Sequence, residues 1–337
     1  MNLGIIFTGG GMTVGDMTRI AQAAEAAGMS LLCVAEAWRS GWVPLTAMAA
    51  ATERVRLGPY VLNAYGRSPL LAGMSAIDFN EFSGGRLLLG VGGGNRIINE
   101  AWQGIEHARV LSKMREYVGL LQRMARTRLG EQLSFAGRIH RMDWAPSVEP
   151  AARPFPVYLA AVFPRMLSVA AAVADGIAGG ATLSPAYLRD VLRPHAARAA
   201  SAAGRDADDL GWCAVAITAV DDDREQARRW AREALCHLYA PLPHPYYEYT
   251  MREQGFGAVA DALLELAPKG DLEAACAAIP DACVDALTVA GTPAECRARL
   301  ADYDGLLDDL LLLNACPPQP GRVLASYTRL LTLARRA

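Results

Sequence analysis

The chain has 337 residues, 52% of them apolar and 20% charged, with a formal net charge of −2. That balance excludes a globally basic nucleic-acid binder, and apolar runs such as "VAAAVA" are too short to span a bilayer. The length suits one large α/β domain or two smaller ones, either with a sizeable core.

Seven cysteines, Cys33, Cys213, Cys236, Cys276, Cys283, Cys296 and Cys316, form no C-x-x-C pair. Free, mostly buried thiols in a reducing cytoplasm are expected. "MNLGIIF" has no basic n-region, so a signal peptide is not expected. The histidines are scattered at His107, His140, His195, His237 and His244, and Pro241 and Pro243 interrupt any helix joining the last two. No metal site is expected from that spacing.

In chain order, "LGIIF" (Leu3–Phe7) reads as a strand and "VGDMTRIAQAAEAAG" as a helix stopped by Gly28. "SLLCVAE" (Ser30–Glu36) is the next strand, "VPLTAMAAATE" a helix, and "VRLGPYVLN" (Val55–Asn63) a third strand. "SPLLAGMSAIDFNEFSGG" is a helix with Ser68 as N-cap and Pro69 in its first turn. "RLLLGVGGGN" (Arg86–Asn95) is a buried strand ending in glycines, and a long helix follows around Val110–Arg128. "LSFAGRIHRMDW" alternates around Gly137, which predicts a β-hairpin insertion over about 131–145.

The alternation then resumes. "FPVYLAA", "DGIAGGA" and "LGWCAVAITAV" read as strands, each followed by a helical pattern: "PRMLSVAAAVA", "PAYLRDVLRPHAARAASAAG" and "DDDREQARRWAREALCHLY". A helical insertion covers about 241–281. "TPAECRARLADYDGL" carries a capping box of Thr292 and Glu295, "DDLLLLN" (Asp308–Asn314) is the last strand and "RVLASYTRLLTLARRA" the last helix. Eight strands, nearly all followed by helices, predict an α/β protein with a (β/α)8 TIM barrel over one domain, 1–337. A doubly wound open sheet is the second arrangement the alternation permits.

"GVGGGN" has Asn95 where the dinucleotide fingerprint needs its third glycine, and no Gly-Lys-Ser/Thr follows for a P-loop. In a barrel the loop lies at the C-terminal face, where active sites are built. Four glycines in five residues, Gly90 and Gly92–Gly94, suggest close approach by something flat or anionic.

The stretch "VAEAWRSGWVPLTAMAAATERVRLGPYVLNAYGRSPLLAGMSAIDFNEFSGGRLLLGVGGGN" resembles the luciferase-like family of flavin and deazaflavin barrel enzymes, in its coenzyme F420-dependent branch with methylenetetrahydromethanopterin reductase. "FPVYLAAVFPRMLSVAAAVADGIAGG" and "DALTVAGTPAECRARLADY" continue it. The resemblance implies a luciferase-like barrel, usually a homodimer, with F420 at its mouth, or FMN as the alternative. It implies a non-prolyl cis peptide at Tyr60–Val61 behind the cofactor ring. Further cofactor contacts would come from Asn63, Gly92, Gly93, Gly94, Asn95, Ala160, Ala161, Arg165, Gly179 and Gly180. Phe7, Trp38, Tyr246 and Tyr247 are expected on the substrate side, the tyrosines of "PHPYYEYTM" forming either an aromatic lid or the core of the insertion.

Two departures bear on chemistry. The acid–His pair of many deazaflavin dehydrogenases reads Glu36–Ala37 here, and Asn95 replaces a family glutamate. A base for alcohol oxidation is therefore missing. The resemblance then implies an F420H2-dependent reductase of a C=N or activated C=C bond in a small-molecule, peptide or natural-product substrate, with Glu36 orienting substrate or relaying a proton. An FMN-dependent monooxygenase and a non-catalytic flavin-binding relative are the alternatives, and neither a nucleic acid nor a membrane is an expected partner.

Overall fold

The computed structural model describes residues 1–8, 10–239, 245–318 and 322–334. His244, weighed above as a ligand, and the end of the last expected helix lie outside them. In chain order the elements are β1 (Asn2–Phe7), α1 (Val14–Ala27), β2 (Leu31–Val34), α2 (Trp42–Ala50), β3 (Arg56–Pro59), β4 (Leu62–Asn63), α3 (Pro69–Phe82) and β5 (Leu89–Gly92). There follow α4 (Val110–Met124), β6 (Leu133–Ala136), β7 (Arg141–Trp144), β8 (Val157–Ala160), α5 (Pro164–Val173), β9 (Gly176–Ala178), α6 (Pro185–Tyr187), α7 (Arg193–Ala202) and β10 (Gly211–Val220). The rest are α8 (Arg224–His237), α9 (Pro245–Glu253), α10 (Gly257–Leu266), α11 (Leu272–Ala277), α12 (Asp281–Leu287), β11 (Thr288–Gly291), α13 (Pro293–Ala301), β12 (Asp309–Asn314) and α14 (Val323–Leu331). Among the described residues no helix is long and apolar enough to cross a membrane.

Contacts group the chain into two compact units, residues 1–32, 179–194 and 212–337 in one, 33–178 and 195–211 in the other. In the first, β1, β12, β10 and β11 run parallel in that order. Ile5, Phe7, Ile217 and Leu310–Leu312 are buried there, as fully covered parallel strands require. Thr13 and Asp16 form a reciprocal capping box at the start of α1, and Gly28 ends it with a positive φ. The same reciprocal cap, Thr292 with Glu295, opens α13.

In the second unit β4, β5, β8 and β9 run parallel in that order, and Leu57 of β3 bridges Leu87 in the same sense. The predicted hairpin is β6 and β7, antiparallel, turning at Gly137, whose N–H donates to the His140 carbonyl. Glu116 of α4 holds that turn, accepting from the backbone N–H groups of Arg138, Ile139 and His140 at 2.8, 3.0 and 2.8 Å.

Three elements differ from the sequence reading. The expected strand Val55–Asn63 is broken into β3 and β4 at Tyr60–Val61. The single helix expected over 185–204 is a short α turn, a π turn at Leu188–Leu192 and then α7. Pro194 explains it: a proline inside a helix lacks the N–H its turn needs, and a widened turn absorbs the missing bond. The strand β11 was not expected at all; it has four residues and no polar–apolar alternation to mark it.

Candidate functional site

Loops that follow parallel strands are where ligands bind in α/β folds. In the second unit these loops carry Glu36 after β2, the Tyr60–Val61 bulge between β3 and β4, the glycines after β5, and Ala160–Ala161 at the end of β8. The Tyr60–Val61 peptide is cis, as expected. The N–H of Tyr60 donates to the Val34 carbonyl at 2.9 Å, so the bulge is tied to β2.

The glycines of β5 face that bulge. A Cβ placed on Gly92 would lie 2.7 Å from Val61 Cγ2 and 3.1 Å from Ala160 Cβ. On Gly90 it would lie 2.6 Å from the Pro59 carbonyl oxygen and 3.1 Å from Val61 Cγ1. The Val61 isopropyl group therefore occupies the space that side chains at these positions would need. Close approach by a ligand does not account for Gly90 and Gly92; approach by the protein's own bulge does.

Beyond β5 the loop is locked from behind by amides. Gly94 has φ +66°, and a Cβ there would lie 2.7 Å from Asn63 Nδ2. Asn63 Nδ2 donates to Asn99 Oδ1 at 2.8 Å, and Asn99 Nδ2 donates to the Gly93 carbonyl at 2.8 Å. Asn99 is fully buried, and the sequence reading did not single it out. Asn95 Oδ1 accepts from the Ile97 N–H at 2.8 Å, so this expected cofactor residue is a buried cap on the following turn. Gly93 and Gly94 remain half-exposed and present backbone without side chains. Tyr65, its hydroxyl donating to the Ala108 carbonyl at 2.6 Å, packs edge-on against His107 and under the Lys113 ammonium. Burial pushes the Lys113 amine and the His107 imidazole below their usual ranges.

Glu36 is held on every side. Its Oε1 accepts from Arg67 Nη2 at 2.7 Å and from the Gly41 N–H at 3.3 Å. Its Oε2 accepts from the Asn63 N–H at 3.3 Å and from Arg67 Nε at 3.5 Å. Both side chains are largely covered, and the hydrogen bond to Glu36 raises the Arg67 guanidinium above its usual value. Arg67 was not expected at the site. The signal was indirect: a carboxylate ending a buried strand needs a cation or several N–H donors. Tyr117 of α4 lies within electrostatic range of this pair, and burial drives its phenol well above the usual range.

The other expected residues divide. Trp38 is exposed and its ring packs tilted against that of Trp102, with centroids 4.9 Å apart. Ala161 is buried, Ala160 half-buried, and Arg165 exposed in the first turn of α5. In the first unit, Phe7 is fully buried 6.1 Å from the Tyr327 ring, a core residue as the structure stands. The Gly179 N–H donates to the Cys213 carbonyl at 2.7 Å and the Gly180 carbonyl accepts from the Val215 N–H, so these backbone groups are already paired. Tyr246 and Tyr247 lie half-buried on α9, and burial raises the Tyr247 phenol to about 12.

Comparison with known proteins agrees on one family and one fold. The family described as luciferase-like monooxygenase matches residues 1–310. The 5,10-methylenetetrahydromethanopterin reductase of Archaeoglobus fulgidus is 30% identical over 264 residues, 78% of this chain and 77% of that protein. A putative coenzyme F420-dependent oxidoreductase of Mycobacterium tuberculosis is 27% identical over 90% of this chain and 92% of its own. Among solved structures, the coenzyme F420-dependent tetrahydromethanopterin reductase of Methanopyrus kandleri superposes with a TM-score of 0.82 at 18% identity, covering 97% of this chain and 96% of that one. The likeness establishes the fold class as the eight-fold β/α barrel with insertions.

Proposed function

The chain belongs to the luciferase-like monooxygenase family, and from that premise we propose that it is an F420H2-dependent reductase of a C=N or activated C=C bond in a small molecule. Support for the cofactor comes from the Mycobacterium tuberculosis relative and the Methanopyrus kandleri structure, both named for coenzyme F420. The residues present fit such a group. Gly93 and Gly94 offer half-exposed backbone at the end of β5, and the Asn63–Asn99 amides hold that backbone rigid from behind. The backbone of the Tyr60–Val61 bulge, Asn63 and Ala160 would complete the support. When bound, F420H2 supplies a hydride.

The observation that carries the reaction type is the engagement of Glu36. Both its oxygens already accept from Arg67 and from the N–H groups of Gly41 and Asn63. With Ala37 beside it, this strand end presents no side chain free to take a proton from an alcohol. An iminium carbon needs no such base, because it accepts a hydride as it stands. A conjugated alkene takes its proton afterwards, and solvent serves for that. Glu36 is thus a positioning residue that fixes the chain directly after the bulge, rather than a proton relay.

Binding titrations with oxidised F420 and with FMN, followed by single-turnover oxidation of F420H2 against imine and alkene acceptors, test this reading. Preferential binding of F420 and oxidation of F420H2 by either acceptor class are expected. Preference for FMN would replace the reading with a monooxygenase, and rapid oxidation of a secondary alcohol by oxidised F420 would overturn the reaction type.

A further inference from the structure

Two cysteines meet in the first unit. Cys236, in the last turn of α8, and Cys276, near the end of α11, have their sulfur atoms 3.6 Å apart, though forty positions separate them in sequence. Helices α8 and α11 pack directly against each other. Cys236 is buried and Cys276 is the more exposed of the two. A disulfide needs the sulfurs at about 2.0 Å, so the approach still required is about 1.5 Å. Closure calls for that approach through side-chain rotation and helix adjustment.

We propose that Cys236 and Cys276 are a reversible oxidation site that closes to an intramolecular disulfide on exposure to a peroxide. The step balances as follows. The Cys276 thiolate attacks one peroxide oxygen, becomes a sulfenic acid and releases water once a proton is taken up. The Cys236 sulfur then displaces the sulfenic oxygen, which leaves as a second water. Two thiols and one hydrogen peroxide give one disulfide and two waters, the sulfurs losing two electrons and the peroxide gaining them. A dithiol reductant reverses the change by exchange through a mixed disulfide.

Burial pushes both thiols above their usual range. Little thiolate is present at neutral pH, so the pair stays reduced in a reducing compartment and responds to sustained oxidant. The bond would close a loop that contains α9 and α10. The Tyr239 hydroxyl, just past α8, already donates to Met251 Sδ of α9 at 2.9 Å. Oxidation therefore ties together a segment that packs as a unit, and that segment carries Tyr246 and Tyr247.

The test treats the full-length protein with hydrogen peroxide, alkylates the remaining thiols, and maps peptides without reduction. A linked pair containing Cys236 and Cys276, two hydrogens lighter than the separate peptides and released by dithiothreitol, is expected. The oxidised protein should melt higher by roughly 5 °C, as closure of a long loop predicts. Cys276→Ser and Cys236→Ala should each abolish both the linkage and the shift. Recovery of the two cysteines in separate peptides, alkylated or carrying sulfinic acid, after peroxide has consumed exposed thiols would overturn the proposal. So would linkage of Cys276 to any other cysteine. The wild-type map decides the matter even where a variant fails to fold, and no outcome depends on F420.

Discussion

Gly92→Ala isolates the packing that shapes the candidate site. The new Cβ would sit 2.7 Å from Val61 Cγ2 and 3.1 Å from Ala160 Cβ. Carbon atoms prefer about 3.5–4.0 Å, so the overlap with Val61 is close to 1 Å. Val61 has little room to yield: its other methyl faces Gly90, and a β-branched side chain has a stiff χ1. The bulge backbone must shift instead, at about 1–3 kcal/mol. Because that backbone is proposed to support the cofactor, F420 affinity should fall about tenfold or more. Val61→Ala removes the obstructing methyls and by itself should cost about 0.5–1.5 kcal/mol. The double variant should be no less stable than Val61→Ala alone, which is a coupling of about 1–3 kcal/mol. Urea denaturation of the four proteins at constant m, with F420 titrations beside it, completes the cycle. Additive losses within about 0.5 kcal/mol would show that Gly92 is not there to seat Val61.

The ion pair makes a second prediction: Glu36→Gln and Arg67→Met should each destabilise by about 1–3 kcal/mol, with strongly non-additive effects in the double variant, because each leaves a partly covered partner unpaired. Single-turnover rates with a conjugated-alkene acceptor should fall less than about tenfold in Glu36→Gln, since the residue positions rather than transfers protons; a hundredfold loss would restore it as a relay. Asn99→Leu should cost about 1–3 kcal/mol by removing the acceptor of Asn63 Nδ2 and one donor to the Gly93 carbonyl, measured as a lower urea midpoint. Glu116 should make the hairpin turn sensitive to acid. Burial opposes its ionised form, but the N–H groups of His140, Ile139 and Arg138 outweigh that and hold its carboxyl below the usual value. The contribution is therefore complete above the ordinary glutamate range and lost as pH falls through the depressed value. Amide exchange at residues 138–140 should accelerate in that window and be uniformly faster in Glu116→Gln.

What could be read from sequence, and what could not, follows from how far apart the cooperating residues lie. Ser68 before Pro69, Gly28 after α1 and Thr292 with Glu295 are signals spaced within one helical turn, and each marks an observed boundary. The hairpin was equally local, since Gly137 and the alternation around it fall within one short segment. Glu36 and Arg67 are thirty-one positions apart, and Asn63 and Asn99 thirty-six, so neither pairing leaves a pattern in any window of sequence. The family resemblance located the bulge, because it transfers a nonlocal arrangement already solved by other chains, but it did not supply the reason for the glycines beside it. Gly90 and Gly92 look like a ligand-binding loop when read along the strand. Across the sheet they are half of a steric fit whose other half is Val61. A glycine run after a buried strand is therefore evidence of close approach without saying by what, and the neighbouring strand must be considered before a ligand is. Here the bulge accounts for Gly90 and Gly92, leaving Gly93 and Gly94 as the half-exposed positions at which the proposed cofactor would have backbone to meet.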